Sequence, residues 1–405
     1  MARSGHGVCP NLADVHTANG TKIPRIRIGV LGVITIAVYG SWYYSFGVLL
    51  DPIIQDTGWS EPALASAFGI STLIGGFGAM AGGWLLDRLG SRAVFTLAAI
   101  VGMGAFSVAT SAGSLGVFTL AVSVGGGAFS ALGFYHVTQT VAVRLSPGSS
   151  TRAIAILTIW GAFASAVYIP LTALLVGRVG WRSAMLAVTM SAVLTLVVGA
   201  LAIETRTGEM PRGLHIFSEI RTALGQRTAR RFLLTQGAVG MAMGVVLVYQ
   251  VPAMTAAGLP LAAASFWAGF RGFSQLLGRL PLMLIIDRLG VVGSLRLAYV
   301  AMSLGTIALA FAGNSVMAAI YAVVAGFGIG AASPLVGMFS RDVFGRTSLG
   351  TAMGTVSLVF LVVGSLGPPL AGWLSVATGS RDIPVAVAGW LCFMAAWALP
   401  LPEEV

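Results

Sequence analysis

One apolar stretch of this sequence carries three polar side chains at helical spacing. The segment Phe270-Arg271-Gly272-Phe273-Ser274-Gln275-Leu276-Leu277-Gly278-Arg279-Leu280-Pro281 places Arg271, Gln275 and Arg279 four residues apart. Side chains at that spacing line one side of a helix. Arg279 precedes Asp287 by eight residues, about 12 Å along a helix, and Arg271 lies about 12 Å further on. A guanidinium offers a planar fork of donors that grips a carboxylate with two parallel hydrogen bonds. All thirteen acidic residues fall in tails, loops or the ends of apolar runs. The stripe therefore calls for an anion from outside the chain, with Arg279 as its first cation, Arg271 as its second and Gln275 between them. The plainer reading is a pair of arginines hydrogen-bonded to backbone carbonyls.

Other polar and aromatic residues inside apolar runs could line a cavity around this stripe. Tyr44, Tyr135, His136 and Tyr249 are the candidates, accompanied by Tyr43, Gln139 and Gln250. A tyrosine in such a place serves equally well as a packing residue with one hydrogen bond. His136 is the one histidine within an apolar run; it could carry a proton near neutral pH or stay neutral and hydrogen-bonded. Cys9 and Cys392 make neither a disulfide framework nor a metal spacing. No phosphate-cradling loop, metal cluster or nucleophile with its base is present, so neither an enzyme nor a cofactor is expected.

The elements that must hold these residues are set by composition. Of 405 residues, 57% are hydrophobic and 9% charged, where soluble domains carry about a quarter charged residues. A mean hydropathy of +0.90 exceeds what a soluble core of this length could enclose. Each bilayer crossing needs roughly 20 apolar residues. Twelve such runs fit, at 28–50, 63–85, 93–112, 115–140, 152–176 and 183–203, then 232–256, 260–285, 294–313, 315–339, 349–376 and 383–401. The fold class expected is an all-α membrane protein with twelve transmembrane helices. Residues 1–25 read as a disordered cytoplasmic tail, 26–203 and 232–401 as six-helix bundles, and 204–231 as a basic cytoplasmic linker. The net charge of +10 is scattered between apolar runs rather than gathered on one face, which argues against nucleic acid. Counted by alternate loops, eighteen basic residues fall on one side and three on the other. The positive-inside rule then puts both termini in the cytoplasm, in an inner membrane.

The two bundles repeat at an offset close to 200. Asp87-Arg88-Leu89-Gly90 recurs letter for letter as Asp287-Arg288-Leu289-Gly290, Asp51-Pro52 with Gly58 as Pro252 and Gly258, and Pro170, Gly180 and Arg182 as Pro369, Gly379 and Arg381. The segment from Gly83 through Asp87, Arg88 and Gly90 to Arg92 resembles the signature loop of the major facilitator superfamily, and 287–290 is its expected partner. The resemblance covers residues 26–400 and implies two six-helix bundles related by pseudo-two-fold symmetry around a midplane site. It also implies a gate in which Asp87, Arg88, Arg92, Asp287 and Arg288 cap helix ends and pair across the halves. A simple topological stop made of charges is the alternative.

Three stretches are similar to the monocarboxylate transporter and oxalate/formate antiporter group. They are Ser45-Phe46-Gly47-Val48 with Gly58-Trp59-Ser60, Pro170 with Gly180-Trp181-Arg182, and Gly364 through Leu374. That resemblance matches Arg279 to the eighth-helix arginine that binds the substrate carboxylate. It implies a monomeric transporter of a small organic anion in the lipid bilayer, coupled to a proton or a counter-substrate. The sequence departs from the group at Gln275 and Tyr44, where an acid and a lysine are usual, and 349–376 contains no charged residue. Efflux of a hydrophobic or zwitterionic metabolite or drug is the runner-up, and a non-transporting membrane sensor a third reading.

Overall fold

The computed structural model describes residues 24–205, 225–344 and 349–400, and the described residues are helical with no strand. Most of the tail (1–23) and most of the linker (206–224) lie outside them. Twelve crossings emerge once kinks are taken as boundaries: α1 is Arg25–Thr57, and Glu61–Thr110 divides at Gly90 into α2 (61–89) and α3 (91–110). Leu115–Leu145 is α4, and Ser150–Ala202 divides at Gly180 into α5 (150–179) and α6 (181–202). The second half opens with α7, Arg227–Ala256. Helix α8 runs from 261 to 289 and α9 from 291 to 310, parted at Gly290. Ser315–Phe344 is α10, 349–378 is α11, and Asp382–Ala398 is α12.

The sequence repeat is a repeat of backbone. Among the described residues six glycines have positive φ, and they form three pairs: Gly58 (69°) with Gly258 (104°), Gly90 (76°) with Gly290 (67°), and Gly180 (74°) with Gly379 (66°). Each pair occupies the same turn in its half, where a side chain would meet its own carbonyl at roughly 1–2 kcal/mol. Helix starts repeat as well. Ser114 caps α4 by accepting from Val117 N, and Asn314, 200 residues on, caps α10 by accepting from Val316 N and Met317 N.

Hydrogen bonds between helix ends define two faces. On one, Ser91 bonds Ile203 and Thr205, and Arg231 and Arg296 donate to Leu399 O; α1 starts and α12 ends here, so it is called the termini face. On the far face, Arg182 donates to Thr110 O and pairs with Asp56. The belt between carries exposed large apolar side chains such as Ile100, Leu120, Leu284 and Trp397, the surface a helical membrane protein turns to lipid.

Helix ends reach further than the apolar runs. Helix α1 continues past 50 through Pro52 to Thr57, and α7 begins at Arg227, inside the stretch read as linker. Hydropathy cannot see a polar turn that protrudes beyond the hydrocarbon. Four crossings are interrupted in ways a hydropathy reading misses. Tyr39–Tyr44 in α1 is a π-helical turn, and Phe134 breaks α4 with an extended backbone. Helix α8 breaks at Leu280 and Pro281, and α11 between Gly364 and Gly367. Pro281 lacks the N–H that would continue the ladder. Breaks and π turns of this kind concentrate where a helix lines a site.

Candidate functional site

Helix α8 is seated by glycines on its neighbours. A Cβ at Gly326 of α10 would stand 2.6 Å from Arg271 O, and one at Gly330 would meet Gln275 O. Four residues apart on α10, these glycines let the two backbones touch along one seam. On its other side α8 presents Gly269 and Gly272 to α5 of the first half, where added side chains would meet Pro170, Ser165 and Ala162 O. The arginine stripe is thereby clamped at the junction of the halves.

Arg271 is buried, with 5% of its surface exposed. Its Nε donates to Gln250 Oε1 at 3.1 Å, and Tyr321 donates to the same oxygen at 2.8 Å. Its two terminal nitrogens have no protein acceptor among the described residues. Gln275 lies buried one turn on. Arg279 is half-buried in the last turn before the Pro281 break, where the dipole of a helix C-terminus favours a cation. It donates Nη1 to Thr158 O of α5, across the halves, at 3.0 Å, while its buried Nε has no acceptor. No ion pair reaches either guanidinium among the described residues. Isolated guanidiniums at such depth face a cavity or a partner as a rule.

The predicted aromatic residues divide. Tyr44 lies within electrostatic reach of both Arg271 and Arg279, and Tyr135 within reach of Arg279 and Tyr44. Tyr135 also donates to Thr158 O, the carbonyl that Arg279 holds. Tyr39 and Tyr43 join them. Tyr39 stacks on Phe134 with centroids 3.6 Å apart and lies 5.2 Å from Tyr135; Tyr43 lies 5.4 Å from Tyr44. Beside this cluster is a cavity of about 540 Å³ bounded by α1, α2, α4 and α11, with Tyr39, Tyr43, Thr72, His136 and Ser357 in its wall. Met80 and Met353, in its wall toward the termini face, mark the direction in which it extends.

His136 touches this cavity but is committed elsewhere. Its Nε2 hydrogen-bonds Ala131 O at 2.8 Å, so that nitrogen carries the proton. The break at Phe134 strips Ala131 O of its helical donor, and the imidazole supplies another. Tyr249 is not with the arginines at all. It is fully buried near the far face, within electrostatic reach of Glu61, Arg381 and Asp51.

That far-face group is the one ion cluster found between the halves among the described residues, and the sequence did not single it out. Arg381, in the turn between α11 and α12, donates Nη2 to Asp51 Oδ1 at 2.5 Å and to Glu61 Oε2 at 2.8 Å. It also reaches Pro252 O of α7 at 3.4 Å. Burial works against this guanidinium's charge, but the hydrogen bonds and charges of Asp51 and Glu61 outweigh it and raise its pKa above the ordinary arginine value. Close backbone approaches continue the seam inward. A Cβ at Gly47 would lie 2.7 Å from Val248 O, one at Gly69 2.5 Å from Ser365 O, and one at Gly372 2.9 Å from Pro62 Cα. The halves are thus joined on the far face by this cluster and seam, with the 540 Å³ cavity on the termini side of them and a second cavity of about 600 Å³ on the far face between Asp51, Trp181 and Leu261.

The gate residues at the termini face lie differently from a cross-half pairing. Asp87 pairs with Arg144 of α4, within its own half, and Arg144 also reaches Leu86 O. Arg88 lies over the Trp84 ring at 4.4 Å, and Arg92 is exposed. Asp287 and Arg288 are exposed and make no ion pair among the described residues. With the halves joined on the far face, the two signature loops have no partner in the opposite half among the described residues. The sequence hint of this far-face cluster is that Arg381 is one of three basic residues on its side; its partners lie 320 and 330 positions away.

A family model described as Major Facilitator Superfamily matches residues 31–269 and 232–405. Solved structures share the fold. A nucleoside transporter, NupG, superposes with a TM-score of 0.77 at 13% identity, covering 93% of this chain and 98% of its own. A D-xylose-proton symporter gives 0.73 at 16% identity, with 94% and 98% covered. A POT family transporter in complex with 5-aminolevulinic acid gives 0.69 at 12% identity, with 91% and 94% covered. No curated protein matches the sequence. At these identities the likeness is one of fold, and substrates do not carry over with it.

Proposed function

From the premise that this chain belongs to the major facilitator superfamily, and is a multi-pass membrane transporter, we propose that it carries an organic anion, a carboxylate, by alternating access. Arg279 binds the anionic group, Arg271 is the second cation, and Gln275, Tyr44 and Tyr135 complete the polar surround. The observation that carries this reading is the distribution of charge partners. Asp51 and Glu61 are held by Arg381, Asp56 by Arg182, and Asp87 by Arg144. Arg271 and Arg279, at the junction of the halves, have no carboxylate among the described residues. Two guanidiniums without a carboxylate leave room for an anion to supply the missing charge, and similarity to the monocarboxylate and oxalate/formate group points the same way.

The bundles are residues 26–203 and 232–401, joined by a cytoplasmic linker at 204–231 whose last residues, from Arg227, already belong to α7. The termini face is cytoplasmic, as the charge count requires in an inner membrane, so the described state opens inward. His136 is occupied by the Ala131 carbonyl, and exchange or facilitated diffusion is the transport mode, by a monomer. One observation favours the alternative of efflux with structural arginines: Arg279 bonds the Thr158 carbonyl, as a packing arginine would.

A single experiment separates the two. Purified Arg279→Lys keeps the charge but loses the fork, and should weaken carboxylate binding by about tenfold or more, read by thermal shift and by counterflow in proteoliposomes. Arg279→Ala should abolish it, and Arg271→Lys should be milder. If both Arg279 variants fold and transport as the wild type does, or if only cationic and neutral compounds are substrates, the organic-anion reading is wrong.

A further inference from the structure

The cavity beside the Tyr39–Tyr43 cluster is built for something larger than a two- or three-carbon acid. It measures about 540 Å³, within the range of sites that enclose drug-sized ligands, on the order of 300–1,000 Å³. No Asp, Glu, Lys or Arg lines it among the described residues. Its polar groups are few: the Tyr39 and Tyr43 phenols, Thr72, Ser130, Ser357 and His136, the last tied to Ala131 O. Its remaining walls are Phe134, Phe360, Met80, Met353, Leu358 and Leu361, with glycines and an alanine between them. The guanidiniums stand behind the phenols rather than in the wall. Tyr43 lines the cavity and also lies within electrostatic reach of Arg271. Tyr39 lines it and stands 6.4 Å from Tyr44 and 5.2 Å from Tyr135, the two phenols nearest Arg279.

Resting on the anion reading above, we infer that the substrate is a monoanion with an aromatic or similarly bulky apolar body, its carboxylate at the Arg279–Arg271 margin and its body between Tyr39, Tyr43, Phe134 and Phe360. The chemistry runs in one direction from head to body. A guanidinium margin takes one carboxylate. Faces of Tyr39, Tyr43 and Phe134, and soft methionine side chains at positions 80 and 353, take a flat or branched hydrocarbon. An anion charged at both ends, such as oxalate, has a cation for each charge at Arg279 and Arg271 but no body to bury against the uncharged walls of the cavity. A short aliphatic acid would leave that wall hydrated and gain nothing from it.

The test is competition in counterflow by the wild-type full-length protein, with benzoate and phenylacetate against acetate, oxalate and benzamide. Burying a phenyl ring should favour the aryl acids over acetate by about 10- to 100-fold. Benzamide, which keeps the ring and lacks the charge, should compete at least about tenfold more weakly than benzoate. Ser357→Trp fills the cavity from an exposed position, so that folding is spared. It should remove the preference for aryl acids over acetate, read as the ratio of the two competitions in the same folded protein. Equal competition by acetate and benzoate, or stronger competition by oxalate, overturns the inference and leaves the anion reading intact. An unchanged aryl preference in a folded Ser357→Trp protein overturns the placement. Benzamide competing as well as benzoate, or no carboxylate competing, sinks the anion reading itself.

Discussion

Replacing Arg381 with alanine should release the far face. The arginine belongs to the second half, and its partners Asp51 and Glu61 to the first, so any opening of that face must break every one of these bonds. Four hydrogen bonds join the guanidinium to the two carboxylates, at 2.5–3.1 Å. Removing one member of a buried pair costs about 3–5 kcal/mol, because the remaining charges are left without a counter-ion. Here the side chains keep 17%, 28% and 12% of their surface for Arg381, Asp51 and Glu61, and water can reach Asp51 most easily. Discounted for that screening, the loss is about 1–3 kcal/mol in favour of the open form, a 5- to 150-fold shift in the ratio of states. It falls on the closed state alone, since a contact biases an equilibrium only if it differs between the two conformations.

Labelling reads that shift directly. Ser365 sits in the α11 break with 4% of its surface exposed, and its carbonyl faces Gly69 across the halves. A protein carrying Ser365→Cys and Cys9→Ser has Cys392 as its other thiol, and that side chain is fully buried. An impermeant maleimide added from the far side should label the thiol introduced by Ser365→Cys at least about fivefold faster when Arg381 is replaced by alanine. Arg381→Lys, which retains charge without the fork, should fall between. Unchanged labelling in an Arg381→Ala protein of native thermal stability would show that the ion cluster does not hold the face closed, and the backbone seam at Gly47, Gly69 and Gly372 would then have to do so alone.

Four further outcomes follow from particular contacts. Asp87→Asn should weaken the α2–α4 contact with Arg144 by roughly 1.5–3 kcal/mol and lower the melting temperature, whereas Asp287→Asn, exposed, should leave it unchanged; equal effects on stability would refute the pairing. His136→Gln should keep substantial counterflow activity, and concentrative uptake that follows an imposed pH gradient and vanishes in this variant would overturn the exchange mode. Gly326→Leu should fail to accumulate folded or cost several kcal/mol, because its side chain would enter the backbone of α8 at Arg271; a stable, active Gly326→Leu protein would contradict the α8–α10 seam. Reporters that require the cytoplasm should be active when fused after Glu219 and after Val405 and inactive after Gly313, and cytoplasmic signal at Gly313 would reverse the orientation.

What could be read from the sequence alone was local or periodic. Twelve apolar runs each of crossing length are visible because lipid demands them one helix at a time, and all twelve are present. The glycines at 58, 90, 180, 258, 290 and 379 were legible because a positive φ admits little else, and duplication wrote the demand twice. The arginine stripe on α8 was legible because a charge among apolar neighbours has no local explanation. Interruptions at Tyr39–Tyr44 and Phe134 were not, since hydropathy is blind to how a backbone turns. Partnership was invisible in the same way. Nothing near Arg381 names Asp51 and Glu61 as its acceptors, nothing near Asp87 selects Arg144 over a residue of the other half, and nothing near His136 announces a stripped carbonyl at Ala131. Those choices belong to the tertiary structure, because hydrogen bonds and ion pairs depend on distances of a few ångströms between segments that the chain brings together only after hundreds of residues.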